Sequence, residues 1–342
     1  MAPANERYIP RGVIPACLLP FTRDLEINEM AYRSHLRDLA TVNGVTAITT
    51  NAHASEVATC TLDEQRRVLE ITVEEMAGRT HVIQGVYAEG SFEAQRIAKM
   101  AHAGGASALL VFPSGIYTFG QRPEMAVEHF RRIAEVTDLP LIAFQYPLSG
   151  GQGYPLSTLM RIIEEVPTVR AIKDWSANPQ LHERQVRVLQ SLPRPVNVLT
   201  THSAWLFTSL VLGCKGLLSG SGSVIADLQA QLFRAVQAGD LAGARRISDR
   251  IFPTAEVFYS EGKLSEPPTS NVIPAGASLF RQVEAAGVLA GAKQPELGRK
   301  FIDFMLRDAF QQQITETMFV YPVVPGIAFP EWWKWATVDV RA

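Results

Sequence analysis

Lys173 is the residue whose type and position point most directly to chemistry. It lies in the run 168–175, a short apolar and β-branched stretch that predicts a buried strand with the amine near its carboxyl end. A lysine between Ile172 and Trp175 is poorly hydrated, so we expect a lowered pKa. A neutral amine can attack a carbonyl and form a Schiff base. The alternative is a strand-end lysine that is paired with a carboxylate such as Asp174.

Eight short apolar runs, each followed by a helical stretch, would position this lysine. The predicted strands cover about 12–19, 45–49, 81–85, 108–112, 139–144, the lysine-bearing run, 196–199 and 216–218. Nearly continuous apolar strands are typical of parallel sheets covered by helices, and eight such units close a barrel. A doubly wound open sheet is the alternative, but no G-x-G-x-x-G turn follows the first strand. The sequence therefore predicts an α/β fold, a (β/α)8 TIM barrel with a C-terminal helical extension.

The pattern changes after about residue 238, where helical stretches continue without strands between them. We expect three domains or segments: the barrel at 11–238, C-terminal helices packed on it at 239–320, and an irregular arm at 321–342. The predicted helices cover about 241–258, 277–289 and 294–315. The arm is rich in proline and tryptophan, and it could cover either the barrel mouth or a neighbouring subunit.

In such barrels the functional groups lie where the strands end, on the loops that follow. Lys173 would lie on that rim, whereas Lys215 would lie on the opposite one. The loop after the second strand contains His53, Ala54 and Ser55. Small residues let backbone N–H groups approach a carboxylate, and an imidazole can transfer protons near neutral pH. The loop could equally be an ordinary polar turn that caps the next helix.

Other strand ends offer further candidates. Tyr146 follows the fifth strand and Tyr117 the fourth; either phenol could relay protons or simply pack. Ser219 and Gly220 precede a helical run, where backbone N–H groups and the helix dipole can bind an anion. We expect Lys173, Tyr146 and His53 to be catalytic. The predicted substrate-binding residues are Ala54, Ser55, Phe144, Tyr117, Ser219 and Gly220, and no metal ligands are predicted.

The composition limits the class of protein. Hydrophobic residues make up 47% and charged residues 19% of the 342 residues, as in a globular protein with a substantial core. The net charge of −2 and the absence of a basic run argue against nucleic-acid or anionic-membrane partners. Three widely spaced cysteines make no disulfide framework. No apolar run is long enough to span a bilayer, so we expect a cytoplasmic protein.

With these features assembled, the chain resembles the dihydrodipicolinate synthase/N-acetylneuraminate lyase family of class I aldolases, from about residue 11 to 310. The pair Ile172-Lys173 is similar to the Schiff-base lysine of the family and is its most specific element. Further similar segments are Leu19-Pro20-Phe21, Ser55-Glu56, the run 216–219 and the run 271–274. The resemblance implies a barrel with a three-helix tail, assembled as a tetramer or dimer. It also implies a 2-oxo acid such as pyruvate, held as an imine on Lys173.

Two motifs depart from the family pattern. Histidine and alanine stand at the threonine positions of the loop after the second strand, at His53 and Ala54. The proton-relaying tyrosine of the family corresponds to Phe144, which has no proton to give. Tyr146 lies two residues on and would face the same side of an extended strand. Either Tyr146 or His53 could therefore take over the proton transfer, and dihydrodipicolinate synthase activity itself is not expected.

The sequence supports a class I lyase, an aldolase or hydro-lyase, that acts on a 2-oxo acid without a metal or organic cofactor. A protonated imine provides the electron sink that a metal would otherwise supply. The backbones at Ala54-Ser55 and Ser219-Gly220 would receive the carboxylate. The main alternative is a non-catalytic sensor or scaffold that binds a keto acid and has lost the proton relay. A metal-dependent barrel lyase is a third possibility, but no obvious ligand cluster supports it.

Overall fold

The computed structural model describes residues 8–259, 293–317 and 322–329. The chain divides into two compact units, Met1–Tyr259 and Ser260–Ala342, which are described separately. The predicted helix at 277–289, the segment 271–274 and all but eight residues of the predicted arm lie outside the described residues. The packing of the helices at 239–320 on the barrel therefore stays a prediction as a whole.

Eight parallel strands build the first unit. They are β1 (Gly12–Pro15), β2 (Ala47–Thr50), β3 (His81–Val86), β4 (Ala108–Val111), β5 (Leu141–Gln145), β6 (Val169–Asp174), β7 (Asn197–Thr200) and β8 (Gly216–Ser219). Their order is β1-β8-β7-β6-β5-β4-β3-β2. Parallel bridges from Val13 to Val45 and from Ala16 to Thr49 bring β1 next to β2, so that the sheet nearly closes on itself. The predicted barrel is confirmed.

Helices follow each strand and cover the outside of the sheet. They are α1 (Glu29–Thr41), α2 (Leu62–Met76), α3 (Ser91–Ala103), α4 (Pro123–Ala134), α5 (Leu156–Glu165), α6 (Pro179–Leu189), α7 (Leu206–Val211), α8 (Gly222–Gln237) and α9 (Leu241–Tyr259). The caps are those that the sequence favours: Asn28 accepts from the Ala31 N–H, and Thr61 and Glu64 form a capping box. α9 packs against α8 and so belongs to the same compact unit as the barrel.

Side chains alternate between two apolar layers along every strand. On β6, Ala171 points into the barrel interior, whereas Ile172 points outward to the layer between strands and helices. The same alternation puts Ile142 and Phe144 of β5 inside. The inner layer contains fewer residues than the outer one. At the carboxyl ends of the strands the inner layer ends in larger side chains, such as Phe112 and Phe144. This period of two decides which side chains reach the mouth of the barrel.

Two helices lie in the described part of the second unit, α10 (Pro295–Met305) and α11 (Asp308–Thr317). The prediction of one continuous helix over 294–315 is therefore wrong. α10 ends because the Arg307 N–H turns back to the Phe304 carbonyl in a tighter turn, and Asp308 then provides an acid in the first turn of a new helix. No helix in the described ranges is both long and apolar enough to cross a bilayer.

Gly85 is a position where the barrel leaves no room for a side chain. A Cβ there would lie 1.8 Å from the backbone oxygen of Asn51, at the end of the neighbouring strand β2. We expect Gly85→Ala to lower the free energy of unfolding by about 2 to 3 kcal/mol, because backbone atoms must move. Urea denaturation measures this. Gly150→Ala is the matched control, since a Cβ at Gly150 meets nothing within 4 Å, and equal midpoints for both variants would contradict the prediction.

Candidate active site

Lys173 lies inside the barrel at its carboxyl-terminal end. It is next to Phe144 in the register of β6 with β5, and its Nζ lies 3.9 Å from the centre of the Phe144 ring. Only 5% of the residue is exposed. Because burial penalises the charged form, the pKa of the amine falls from 10.5 to about 7. A large fraction of the amine is therefore uncharged at neutral pH and able to act as a nucleophile.

The carboxylate next in sequence does not neutralise this amine. Asp174 points to the other side of β6, where its Oδ2 lies 2.5 Å from Nδ1 of His182 and its Oδ1 accepts the Ser176 N–H at 2.8 Å. His182 Nε2 in turn lies 3.4 Å from the Cys214 sulfur. Within the described ranges no carboxylate oxygen lies within 4.0 Å of the Lys173 nitrogen. The alternative interpretation of Lys173 as half of an ion pair is thus not supported.

His53 and Tyr146 meet across the mouth of the barrel. The Tyr146 hydroxyl and His53 Nε2 share a hydrogen bond of 2.9 Å. Packing of the imidazole and the charge of Lys173 lower the pKa of His53 to about 4, so the ring is neutral at pH 7. Burial raises the pKa of Tyr146 above its usual value, so the phenol keeps its proton. A neutral imidazole and a protonated phenol in contact can pass a proton between them.

Polar contacts behind the loops hold this pair in place. Gln145 points out of the barrel, and its side-chain amide bonds both the N–H and the carbonyl of Tyr154 at 3.0 and 3.1 Å. The end of β5 is thereby fixed, with Phe144 and Tyr146 directed inward and their ring centres 4.7 Å apart. On the other side, the Ser55 hydroxyl donates to the Cys17 carbonyl at 2.8 Å and ties the loop after β2 to the segment that follows β1.

Three residues predicted to bind substrate have other roles in the structure. Tyr117 packs in the outer layer beside Tyr154 and donates to the Met125 carbonyl at 3.5 Å, because the short 3-10 helix after β4 turns it away from the mouth. Ser55 uses its hydroxyl as described and its N–H for the Ala52 carbonyl. The Ser219 side chain points outward to Gln229 of α8.

Ala54 and Gly220 remain suitable for a carboxylate. Ala54 packs against the inner layer, and neither its N–H nor that of Gly220 donates to a backbone oxygen of the described residues. Gly220 lies two residues after the inward-facing Leu218, and a Cβ built on it would meet nothing within 4 Å. An N–H group without a backbone acceptor can donate to a carboxylate.

Aromatic residues that the sequence analysis did not assign to the site complete its walls. We call the following rings the mouth cluster: His53, Tyr87, Phe112, Phe144, Tyr146 and Trp175. Three of them were missed, Tyr87, Phe112 and Trp175. The alternation of inward- and outward-facing side chains, extended one or two residues beyond a strand, predicts two of these positions. Tyr87 lies four residues after the inward-facing Ile83, and Trp175 lies two residues after the inward-facing Lys173.

Metal ligands are not grouped in the part of the chain that the structure describes. No set of three or more histidine, cysteine, aspartate or glutamate side chains there is arranged to hold a metal ion. The three thiols, Cys17, Cys60 and Cys214, are free.

Comparisons with known proteins agree with this geometry. The profile of the Dihydrodipicolinate synthetase family matches residues 9–267. The 4-hydroxy-tetrahydrodipicolinate synthase of Methanopyrus kandleri is 28% identical over 290 residues, which cover 84% of this chain and 90% of the relative. The enzyme of that name from Maridesulfovibrio salexigens is 29% identical over 252 residues, or 73% of this chain and 84% of the relative.

Solved structures give the same result. The crystal structure of dihydrodipicolinate synthase from Aquifex aeolicus superposes with a TM-score of 0.68 at 25% identity, covering 74% of this chain and 84% of that one. The match of the family profile extends over most of the chain and includes the whole barrel with its buried lysine. The chain therefore belongs to the Dihydrodipicolinate synthetase family.

Proposed function

We propose that this protein is a class I lyase, an aldolase or hydro-lyase, that binds a 2-oxo acid such as pyruvate as a Schiff base on Lys173. The observation that carries the proposal is a buried, unpaired amine at the mouth of a barrel, with a pKa lowered to about 7. Membership of a family whose relatives are named 4-hydroxy-tetrahydrodipicolinate synthase supports it.

In the first step the neutral Lys173 amine attacks the keto carbon of the 2-oxo acid. The keto oxygen takes up two protons and leaves as water, which forms the protonated imine. Loss of a proton from the neighbouring carbon then gives an enamine, because the imine nitrogen accepts the electron pair. The enamine carbon can form a bond to an aldehyde, and the reverse sequence cleaves that bond. When the 2-oxo acid carries a hydroxyl group on the carbon next to the enamine carbon, the electron pair of the enamine can instead expel that hydroxyl, which takes up a proton and leaves as water; this is the dehydration reaction.

Tyr146 and His53 would move the protons that these steps need. The phenol can donate to an oxygen that develops negative charge, and His53 Nε2, 2.9 Å away, can return a proton to it. This pair would do the work for which Phe144 has no group. The N–H groups of Ala54 and Gly220 would bind the carboxylate. The imine supplies the electron sink, so the proposal requires no metal or organic cofactor.

Borohydride trapping tests the proposal directly. The protein is incubated with pyruvate and sodium borohydride, digested, and analysed by mass spectrometry. We expect the mass increase of a reduced pyruvate adduct on the peptide that contains Lys173 and on no peptide that contains Lys215. Because the keto acid is not identified by the geometry, 2-oxobutanoate and 2-oxoglutarate are tested in parallel. An unmodified Lys173 with all three acids would overturn the proposal and favour a barrel that binds keto acids without chemistry.

A further inference from the structure

The mouth cluster forms a continuous aromatic surface directly above the amine. His53 lies 4.8 Å from Phe112, Phe112 lies 5.2 Å from Phe144, and Phe144 lies 4.7 Å from Tyr146, measured between ring centres. Trp175 extends the surface, 5.5 Å from Tyr146. Most of these pairs are edge-on or tilted rather than parallel, so faces as well as edges are directed into the mouth.

Burial divides these rings into a floor and a wall. Phe112 and Phe144 are 1% and 2% exposed and form the floor beside Lys173. Tyr87, Tyr146 and Trp175 are only partly buried, although they pack against the same inner layer. Their free surfaces are therefore open to a bound molecule. A group attached to the carbon that reacts with the enamine can lie against these surfaces.

On the side of the mouth that these rings form, the described residues offer few polar partners for such a group. The Lys173 amine beside the floor would be used for the imine, and the Tyr146–His53 pair would be used for proton transfer. The carboxylate that follows β3, Glu89, is exposed and is held by the Ser114 hydroxyl and the Ile116 N–H at 3.1 and 3.2 Å. A sugar-like or charged acceptor would leave most of its polar atoms against rings, which costs free energy for each unpaired group.

We infer that the second substrate of this site, which rests on the proposed lyase function, is an aromatic aldehyde. In the forward direction the enamine carbon forms a bond to the aldehyde carbon, and the aldehyde oxygen takes a proton from Tyr146. Water then hydrolyses the imine, which frees Lys173 and releases a 4-aryl-4-hydroxy-2-oxo acid. In the reverse direction the same acid is cleaved to pyruvate and the aromatic aldehyde. The aryl ring would lie against the partly exposed rings of Tyr87 and Trp175, above the floor of Phe112 and Phe144.

Acceptor competition tests this inference. The kcat/KM for addition of pyruvate is measured with benzaldehyde, cyclohexanecarboxaldehyde and glyceraldehyde as acceptors. We expect benzaldehyde to exceed glyceraldehyde by about 100-fold or more, and cyclohexanecarboxaldehyde to fall between them, because edge and face contacts add to simple apolar burial. Trapping of the pyruvate imine is measured in parallel. An imine with a preference for glyceraldehyde would overturn the inference alone, whereas the absence of an imine would overturn the lyase proposal as well.

A variant of Tyr87 tests whether the preference for an aromatic acceptor depends on the partly exposed rings of the mouth cluster. Tyr87→Leu should lower the ratio of kcat/KM for benzaldehyde over glyceraldehyde by about tenfold, since it removes one ring from the site of the aryl group. Phe92→Leu is the matched control, because Phe92 lies on α3, outside the mouth cluster, with Arg132 over its ring. An unchanged ratio in Tyr87→Leu, or an equal fall in both variants, would contradict the inference. Should Tyr87→Leu not fold, the comparison of acceptors on the unaltered protein still decides.

Discussion

Replacing Lys173 with methionine is expected to lower kcat by roughly 10⁴-fold or more, because the variant lacks the nucleophile on which every later step depends. Methionine keeps most of the side-chain volume and the contact with Phe144. The measurement is turnover with pyruvate and the acceptor found in the competition experiment, together with borohydride trapping. The matched control is Lys215→Met, since Lys215 is exposed and lies at the opposite end of the barrel, just before β8.

The stability of Lys173→Met separates lost chemistry from lost structure. In the unfolded chain the lysine has an ordinary pKa near 10.5, whereas in the barrel the pKa is about 7. The folded protein therefore holds this proton less tightly, and the cost of burying the charge is present in full below pH 7 and fades toward pH 10.5. The variant should be more stable than the parent by a few kcal/mol at pH 7 and by less at pH 9. A variant that unfolds at pH 7, or one that keeps full turnover, would contradict this account.

The sequence was sufficient for the barrel because the signals were repeated eight times. Apolar strands separated by amphipathic helices leave few other arrangements, and all eight predicted strands are present. The residues at which strands and helices end were predicted less accurately. Strand β1 was predicted to reach Leu19 but ends at Pro15, since its continuation pairs only through the isolated bridge of Ala16 with Thr49. The division of 294–315 into two helices depends on one turn at Leu306. The sequence has no proline or glycine there that would predict the end of a helix.

The candidate site shows what local sequence can and cannot provide. Alternation along β5 predicts that Phe144 and Tyr146 face the same side, and the structure places both rings inside. Loops do not follow a period. Only the structure shows that Tyr117 turns outward, and that the hydroxyl and the N–H of Ser55 both donate to backbone carbonyls of the protein. The contact of His53 with Tyr146 joins residues 93 positions apart, a distance that no single sequence predicts.

Removing the Tyr146 hydroxyl is expected to lower kcat by about 10²- to 10⁴-fold while leaving the imine intact, since Tyr146→Phe takes away the proton donor but not the nucleophile. Borohydride should still trap pyruvate on Lys173 in this variant, and the free-enzyme pH profile of kcat/KM should still rise through about pH 7 with the amine. Turnover and trapping are measured on the same preparation. Tyr117→Phe is the matched control, because Tyr117 lies in the outer layer and its loss should change kcat by less than about threefold.

The hydrogen bond to His53 makes this prediction sharper. If the phenol and the imidazole act as one relay, the double variant His53→Phe with Tyr146→Phe should lower kcat by little more than the more damaging single variant does. Each single change already breaks the same proton path. Independent roles would instead multiply the two losses. Because the pKa of His53 is lowered to about 4, its protonation should leave the rate unchanged above pH 5. Additive losses, or a Tyr146→Phe variant as active as Tyr117→Phe, would show that the protons move by another route.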